Sequence, residues 1–212
     1  MELVTGGAGF IGSHLVDALV AKGLQVRVLD NFSSGREEFL THHSNTNNVE
    51  IIRADLLDLD AVKESMEGIH TVHHLAANPD IRLGTEITDT DLQQGTIATY
   101  NVLEAMRHNN VKRISFSSSS AIYGEASVMP TPETYGPVLP ISLYGASKLA
   151  SEALISSWCG TFGGEAWIHR FANIVGPRGT HGVIFDFIHK LKKDPKRLEV
   201  LGNGLQEKSY MS

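Results

Sequence analysis

Glycines at positions 6, 7, 9 and 12, in the opening run MELVTGGAGFIG, constrain this chain more than any other feature. Leu3 and Val4 form a short apolar run leading into them, and Ile11, Leu15, Val16, Leu19 and Val20 follow at helical spacing. Gly7, Gly9 and Gly12 fit G-x-G-x-x-G, and Gly6, Gly9 and Gly12 fit G-x-x-G-x-x-G equally well. A strand that ends in glycines and turns into a helix presents bare backbone N–H groups. These suit a diphosphate at the positive end of the helix dipole. Such glycines also occur in ordinary tight turns, so the flanking elements have to decide. Gly23 suits the helix stop, and Leu24, Val26, Val28 and Leu29 form a second strand ending in Asp30, 18 residues beyond Gly12. An acid there accepts hydrogen bonds from an adenosine ribose and repels a 2′-phosphate, which selects NAD over NADP.

The alternation continues. Asn31, Phe32, Ser33, Ser34 and Gly35 form a polar loop whose amide and hydroxyls suit the rim of an adenosine pocket. Residues 45–48 read as a surface loop. Val49, Ile51 and Ile52 give a third strand running into Ala54-Asp55-Leu56, and a helix from about Leu59 to Met66 closes at Gly68. Two readings of Asp55 stand side by side: a partner for the adenine amine with Leu56 on the ring, or a helix cap, a role Asp58 fills equally well. His70 to Ala77 is a fourth strand ending in the small residues Ala76 and Ala77, which admit a cofactor closely. Alternation puts His73 and His74 on opposite faces, and no Cys or acid lies at ligand spacing from His70, His73 and His74, so no metal is expected. After the loop at 78–84, a long helical pattern runs to about Arg107. Val111 to Ser120 is a fifth strand that ends in four serines. Residues 129–140 hold four of the seven prolines and read as a loop.

Tyr144 and Lys148 follow, four apart and hence on one helix face. A phenol with a reference pKa of about 10 is a poor base at neutral pH. A lysine ammonium one turn away favours the phenolate, as does a place in the helix's first turn. Such a pair exchanges protons with a substrate hydroxyl, and a serine hydroxyl holds the same oxygen in place. Y-x-x-x-K occurs by chance, but here it lies downstream of a dinucleotide fingerprint and a serine-tipped strand.

Composition excludes other classes. A net charge of −6 argues against a nucleic-acid surface, and KLKKDPKR at 190–197 reads as the solvated end of a helix. The single cysteine, Cys159, forms no internal disulfide, which suits a reducing compartment. No run reaches membrane-spanning length and no basic leader precedes the first strand, so a cytoplasmic protein is expected.

The segments TGGAGFIGSH (5–14), DNFSSG (30–35), ADL (54–56), HLAA (74–77), SSSSAIYG (117–124), YGASK (144–148) and RFANIVGPR (170–178) occur in the order found in extended short-chain dehydrogenase/reductases. Within these, the chain resembles the NAD-dependent epimerase/dehydratase family, and most of all its UDP-glucose 4-epimerases. The resemblance implies an α/β fold: a doubly wound, mostly parallel Rossmann sheet over 1–173, with a partial, truncated substrate lobe over 174–212. It implies Tyr144 as acid/base, Lys148 as its partner and Ser119 as the catalytic hydroxyl. Phe10, Ile11, Asp30, Asn31, Asp55, Leu56, Leu75 and Ala76 match cofactor contacts beside Gly6, Gly9 and Gly12. Asn173 matches a residue facing the sugar nucleotide, its alternative being a turn before Gly176-Pro177. Lys208 stands where the family tends to place a diphosphate-binding Arg, without that residue's two-pronged geometry.

The implied activity interconverts UDP-glucose and UDP-galactose at C4 through a transient 4-keto sugar, with NAD tightly held, in a homodimer built on helices including 85–107 and 144–160. Sister 4,6-dehydratases carry an Asp-Glu pair after the catalytic hydroxyl; Ser120 and Ala121 stand there instead. The family's Asn in the fourth-helix region falls near Gln94 or Thr96, which departs from the pattern. The alternative function is a nucleotide-sugar binding module of the same fold with little or no turnover.

Overall fold

In the computed structural model, which describes residues 1–44, 46–205 and 207–212, the chain packs as two compact units, Met1–Arg170 and Phe171–Ser212. Of the loop expected at 45–48, Asn45 lies outside the described residues.

The first unit is built on β1 (Glu2–Thr5), β2 (Val26–Asp30), β3 (Val49–Arg53), β4 (Thr71–His74), β5 (Arg113–Ser119) and β6 (Glu165–Phe171), in the order β3-β2-β1-β4-β5-β6. β1 pairs parallel with β2 from Glu2↔Val26 to Thr5↔Leu29, and with β4 from Glu2↔Thr71 to Thr5↔His74. The β2–β3 and β4–β5 pairs are parallel as well. This is the doubly wound order, and its direction reverses between β1 and β4, where such sheets open a crevice at the strands' C-terminal ends.

Strand alternation divides the core. Leu3 and Leu29 belong to a larger apolar cluster with Val62, Met66, Val102, Met106, Ile114, Phe116 and Ile155. Val4, Val26 and Val28 point to a smaller one with Val16, Leu19 and Leu40. With both faces covered, β1 reads as a continuous apolar run.

The helices begin and end where their terminal groups find partners. α1 (Phe10–Ala21) is followed by Gly23 at φ +77°, with Leu24 N–H donating back to Leu19 O at 3.1 Å. Leu24 therefore belongs to this turn and β2 starts two residues later. Asp58, not Asp55, caps α2 (Leu59–Ser65), accepting from Ala61 N–H at 3.1 Å. The long helical pattern expected from residue 84 is shorter in the structure. A 3-10 turn covers Ile81–Thr85, and regular helix comes only with a π segment, Leu92–Ile97, and α3 (Ala98–His108). Gly95 lets this π segment come close to α4 (Leu143–Phe162): a Cβ there would meet Ser147 Oγ at 2.6 Å. Ser142 caps α4 through Gly145 N–H at 3.0 Å.

The second unit contains β7 (Asn173–Ile174) paired parallel with β8 (Tyr210–Met211), and α5 (Val183–Lys193). No helix among the described residues is long and apolar enough to cross a membrane.

Met106 is fully buried in the larger cluster, on the packed face of α3. Met106→Ala keeps helix propensity and removes packing alone. It is expected to lower unfolding free energy by about 2–5 kcal/mol, read as a fall in urea midpoint at unchanged slope.

Candidate active site

The glycine turn is as tight as its sequence suggests. Gly6 sits at φ +68°, and a Cβ on it would lie 2.8 Å from Ala76 Cα and N, so the β1–α1 turn rests on the tip of β4. A Cβ on Gly12 would lie 2.1 Å from Gly6 O, a position no side chain can occupy. Gly9 is the N-cap of α1 with no side-chain cap and no acid in the first turn, which leaves the first N–H groups for a ligand. A Cβ on Gly7 would meet Val28 at 2.8 Å, so Gly7 serves packing against β2. Of the two glycine registers, Gly6, Gly9 and Gly12 form the turn itself.

Asp30 has a second task that the sequence did not disclose. Its Oδ2 accepts from Ala8 N–H at 2.9 Å and its Oδ1 from Phe32 N–H at 2.8 Å. The carboxylate thus ties the glycine turn to the loop after β2, and each oxygen keeps a further lone pair. A Cβ on Gly35 would lie 2.8 Å from Asp30 Oδ1. Asp55 accepts from Asn31 Nδ2 and from Leu57 N–H, both at 2.9 Å, fixing the tip of β3 beside that loop. Asn31 Oδ1 in turn holds Ser33 N–H at 3.0 Å. A tight uncapped glycine turn, an acid at the tip of β2 and small residues at the tip of β4 fit a dinucleotide.

The serine strand and α4 meet at the C-terminal end of β5. Lys148 is buried, and its Nζ donates to Ser117 O at 2.6 Å, lying 4.8 Å from the Phe116 ring centroid and 5.8 Å from that of Tyr144. Ser119 Oγ accepts from Ala121 N–H at 3.1 Å and also contacts the Tyr144 phenol. The expected electrostatics change sign here. Tyr144 is pushed above its ordinary pKa, first by burial and further by the Asp91 charge, while the Ser119 contact pulls it down. Lys148 does not make this phenol acidic in the chain alone. Its ammonium is turned to a backbone carbonyl, and burial lowers its own pKa to about 8, with Asp91 acting in the opposite direction. The phenol is therefore protonated at neutral pH.

Three further features are roles that the sequence motifs did not assign. Asp91 is buried, with Oδ1 accepting from Asn78 Nδ2 at 3.2 Å and Oδ2 without a hydrogen-bond partner. Glu152, one turn beyond Lys148, accepts from the Ser118 hydroxyl and from Arg170 Nη2 at 2.8 Å, while Arg170 Nη1 reaches Tyr123 Oη at 3.1 Å. His74 is fully buried between Thr5 Oγ1 at 2.7 Å and Thr99 Oγ1 at 3.1 Å, and burial holds its pKa at about 3, so it is neutral. His73, on the other face, meets Glu2 at 3.1 Å, which separates the two as alternation requires. Thr96 Oγ1 is engaged with Ser147 O at 3.5 Å. Within the second unit, Asn173 is exposed and lies in strand rather than turn, its Nδ2 and N–H both donating to Ser209 O at 3.1 Å; Lys208 is exposed.

Fold and crevice together define a dinucleotide-binding protein of the short-chain dehydrogenase type, with a Tyr/Lys pair on α4 and a serine at the tip of β5. The chain belongs to the NAD-dependent epimerase/dehydratase family, whose sequence profile matches residues 2–212. It is 36% identical over 217 residues to a putative UDP-glucose 4-epimerase of Methanocaldococcus jannaschii, covering 100% of this chain and 69% of that protein. A crystal structure of UDP-galactose 4-epimerase superposes with a TM-score of 0.88 at 46% identity, over 99% of this chain and 66% of that one. UDP-glucose 4-epimerase from Thermotoga maritima with UDP-glucose gives 0.90 at 34% identity, over 99% and 68%. UDP-glucuronic acid decarboxylase 4 of Arabidopsis thaliana is 36% identical over 98% of this chain and 47% of that protein. The chain thus spans about two thirds of the epimerases' length and about half of the decarboxylase's.

Gly12→Ala forces a methyl into Gly6 O and is expected to weaken NAD binding by at least about tenfold, measured by calorimetric titration. Lys148 titrates near 8 in the folded chain against an ordinary 10.5. Between those values the unfolded state holds more protons, so this group's stabilisation is complete above 10.5 and is lost as pH falls through 8. The unfolding free energy of the native chain relative to Lys148→Met should therefore rise across that window in urea titrations; a flat difference would mean the ammonium is not desolvated.

Proposed function

We propose that the chain is the NAD-binding portion of a UDP-sugar 4-epimerase, interconverting UDP-glucose and UDP-galactose through a transient 4-keto sugar. The observation carrying this reading is the meeting of half-buried Tyr144 and Ser119 with buried Lys148 at the end of β5, in a sheet whose first turn fits a dinucleotide. Epimerase relatives at 33–36% identity support the substrate class. We assign 1–173 to the cofactor and 174–212 to sugar-nucleotide recognition, with Asn173 and Lys208 as contacts on the strength of the family resemblance.

NAD, when bound, supplies a hydride acceptor that returns the hydride, and a positive nicotinamide charge that opposes the upward push of burial on the Tyr144 phenol. Tyr144 then takes the proton from the sugar 4-hydroxyl and gives it back after the ketone has presented its other face. Ser119 orients that hydroxyl and accompanies the proton. Lys148 adds positive charge beside the phenol ring and, through Ser117 O, fixes α4 against β5. Ser120 and Ala121 lie in a 3-10 turn, Ser120–Tyr123, and offer no carboxylate for eliminating water, which favours epimerisation over dehydration. Ile97 and Tyr100 are exposed apolar positions in the π segment and α3 and support a homodimer through this region.

Purified chain supplied with NAD and UDP-galactose is expected to form UDP-glucose and to elute as a dimer by light scattering. Tyr144→Phe should lower kcat by about 10²–10⁴-fold while retaining NAD. NAD binding without epimerisation in the native chain would favour the binding-module alternative, and a monomer would remove the proposed dimer.

A further inference from the structure

Outside the crevice, two histidines from one short turn and an acid from a helix converge on a point. Thr41–His43 forms a 3-10 turn beyond the loop that follows β2. His42 Nε2 lies 2.8 Å and His43 Nε2 2.7 Å from the same atom, Asp17 Oδ1 on α1. Adjacent residues on a helical turn normally point apart. Here the two rings lie 4.0 Å apart at 41° and turn toward one oxygen. The three ligand atoms fall within 4.8 Å of one another, and no other such group of three or more His, Cys, Asp or Glu occurs among the described residues. His43 is buried and His42 is exposed on its outer side, so the cluster is anchored within and open without.

We propose that Asp17, His42 and His43 form a binding site for a divalent transition-metal ion, Zn²⁺ in particular. Two imidazole nitrogens and one carboxylate oxygen make a three-ligand set of borderline softness, with a fourth tetrahedral position left to water. Tetrahedral bonds of about 2.0–2.2 Å set ligand atoms roughly 3.4 Å apart, so Asp17 Oδ1 backs away from each imidazole nitrogen by somewhat over half an ångström to admit the ion, within reach of side-chain rotation. Each ring now donates its Nε2–H to Asp17 Oδ1, so ligation through Nε2 requires that proton to pass to Nδ1 through solvent or to be released. The expectation of no metal weighed only His70, His73 and His74; the converging groups lie 25 and 26 residues apart in the chain, beyond what local spacing can show.

The consequence is structural. The ion would fasten the turn at 41–43 to α1, the helix whose N-terminus fits the diphosphate. The same turn continues the segment whose Arg36 N–H donates to Ala8 O at 2.9 Å in the glycine turn. Zinc thereby braces the adenosine side of the dinucleotide crevice without touching the reacting atoms.

Chain stripped with EDTA and dialysed is titrated with ZnCl₂ by calorimetry, and with CoCl₂ by visible absorption. The expected result is one Zn²⁺ per chain, tetrahedral Co²⁺ bands, and a rise in Tm with zinc. Asp17→Asn and His42→Ala, both at partly or largely exposed side chains, should each weaken binding by at least about 10–100-fold and abolish the zinc-dependent Tm rise. His181→Ala, at an exposed residue elsewhere, should leave binding unchanged. Absence of stoichiometric binding, or binding indifferent to both cluster substitutions, overturns the proposal and leaves a hydrogen-bonded His–Asp–His group.

Discussion

Two buried side chains one turn apart on α4 hold the reactive end of the molecule together. Lys148 donates to the carbonyl of Ser117, and Glu152 accepts from the hydroxyl of Ser118, so a single helix face grips successive residues of β5. Neither charged group is left for water to stabilise; each is compensated by the strand or, for Glu152, by Arg170 from β6. Removing one partner from such an arrangement leaves the other charge buried and uncompensated, a penalty larger than the loss of an ordinary hydrogen bond. The next residue of the strand is Ser119 and the residue one turn earlier on the helix is Tyr144. The contact between them follows from the grip on either side.

That same dryness sets the charge states. Burial keeps His74 neutral beneath the crevice, draws Lys148 toward loss of its proton, and holds Tyr144 in its phenol form. A crevice whose phenol is protonated differs from one whose phenol is ionised by its own lysine. Under the proposed function, it places the burden of activation on what binds there. Asp91 contributes to this balance, because its buried charge favours both the ammonium and the neutral phenol.

The cofactor side rests on steric closeness instead of charge. The glycine turn fits because Ala76, Val28 and Gly6 O fill the space where side chains would project. Asp30 then links that turn to the loop beyond β2 through two backbone N–H groups, so the acid that suits a ribose also shapes the rim around it. The cluster of Asp17, His42 and His43 lies farther along the same rim and ties the loop to the body of α1.

Local patterns in the sequence sufficed for the parallel sheet, the glycine turn, Asp30 at the strand tip and the Tyr144/Lys148 face, because each depends on residues within one or two elements. Periodicity reports which way a side chain points, and glycine reports where no side chain fits. What an ionisable group meets across the fold is decided by elements distant in the chain. Burial reversed the expected shift of Tyr144, Gly95 let the π segment before α3 approach Ser147 of α4, and α1 brought Asp17 to His42 and His43. Those outcomes depend on desolvation and on contacts between separate elements, and only the packed tertiary structure supplies both.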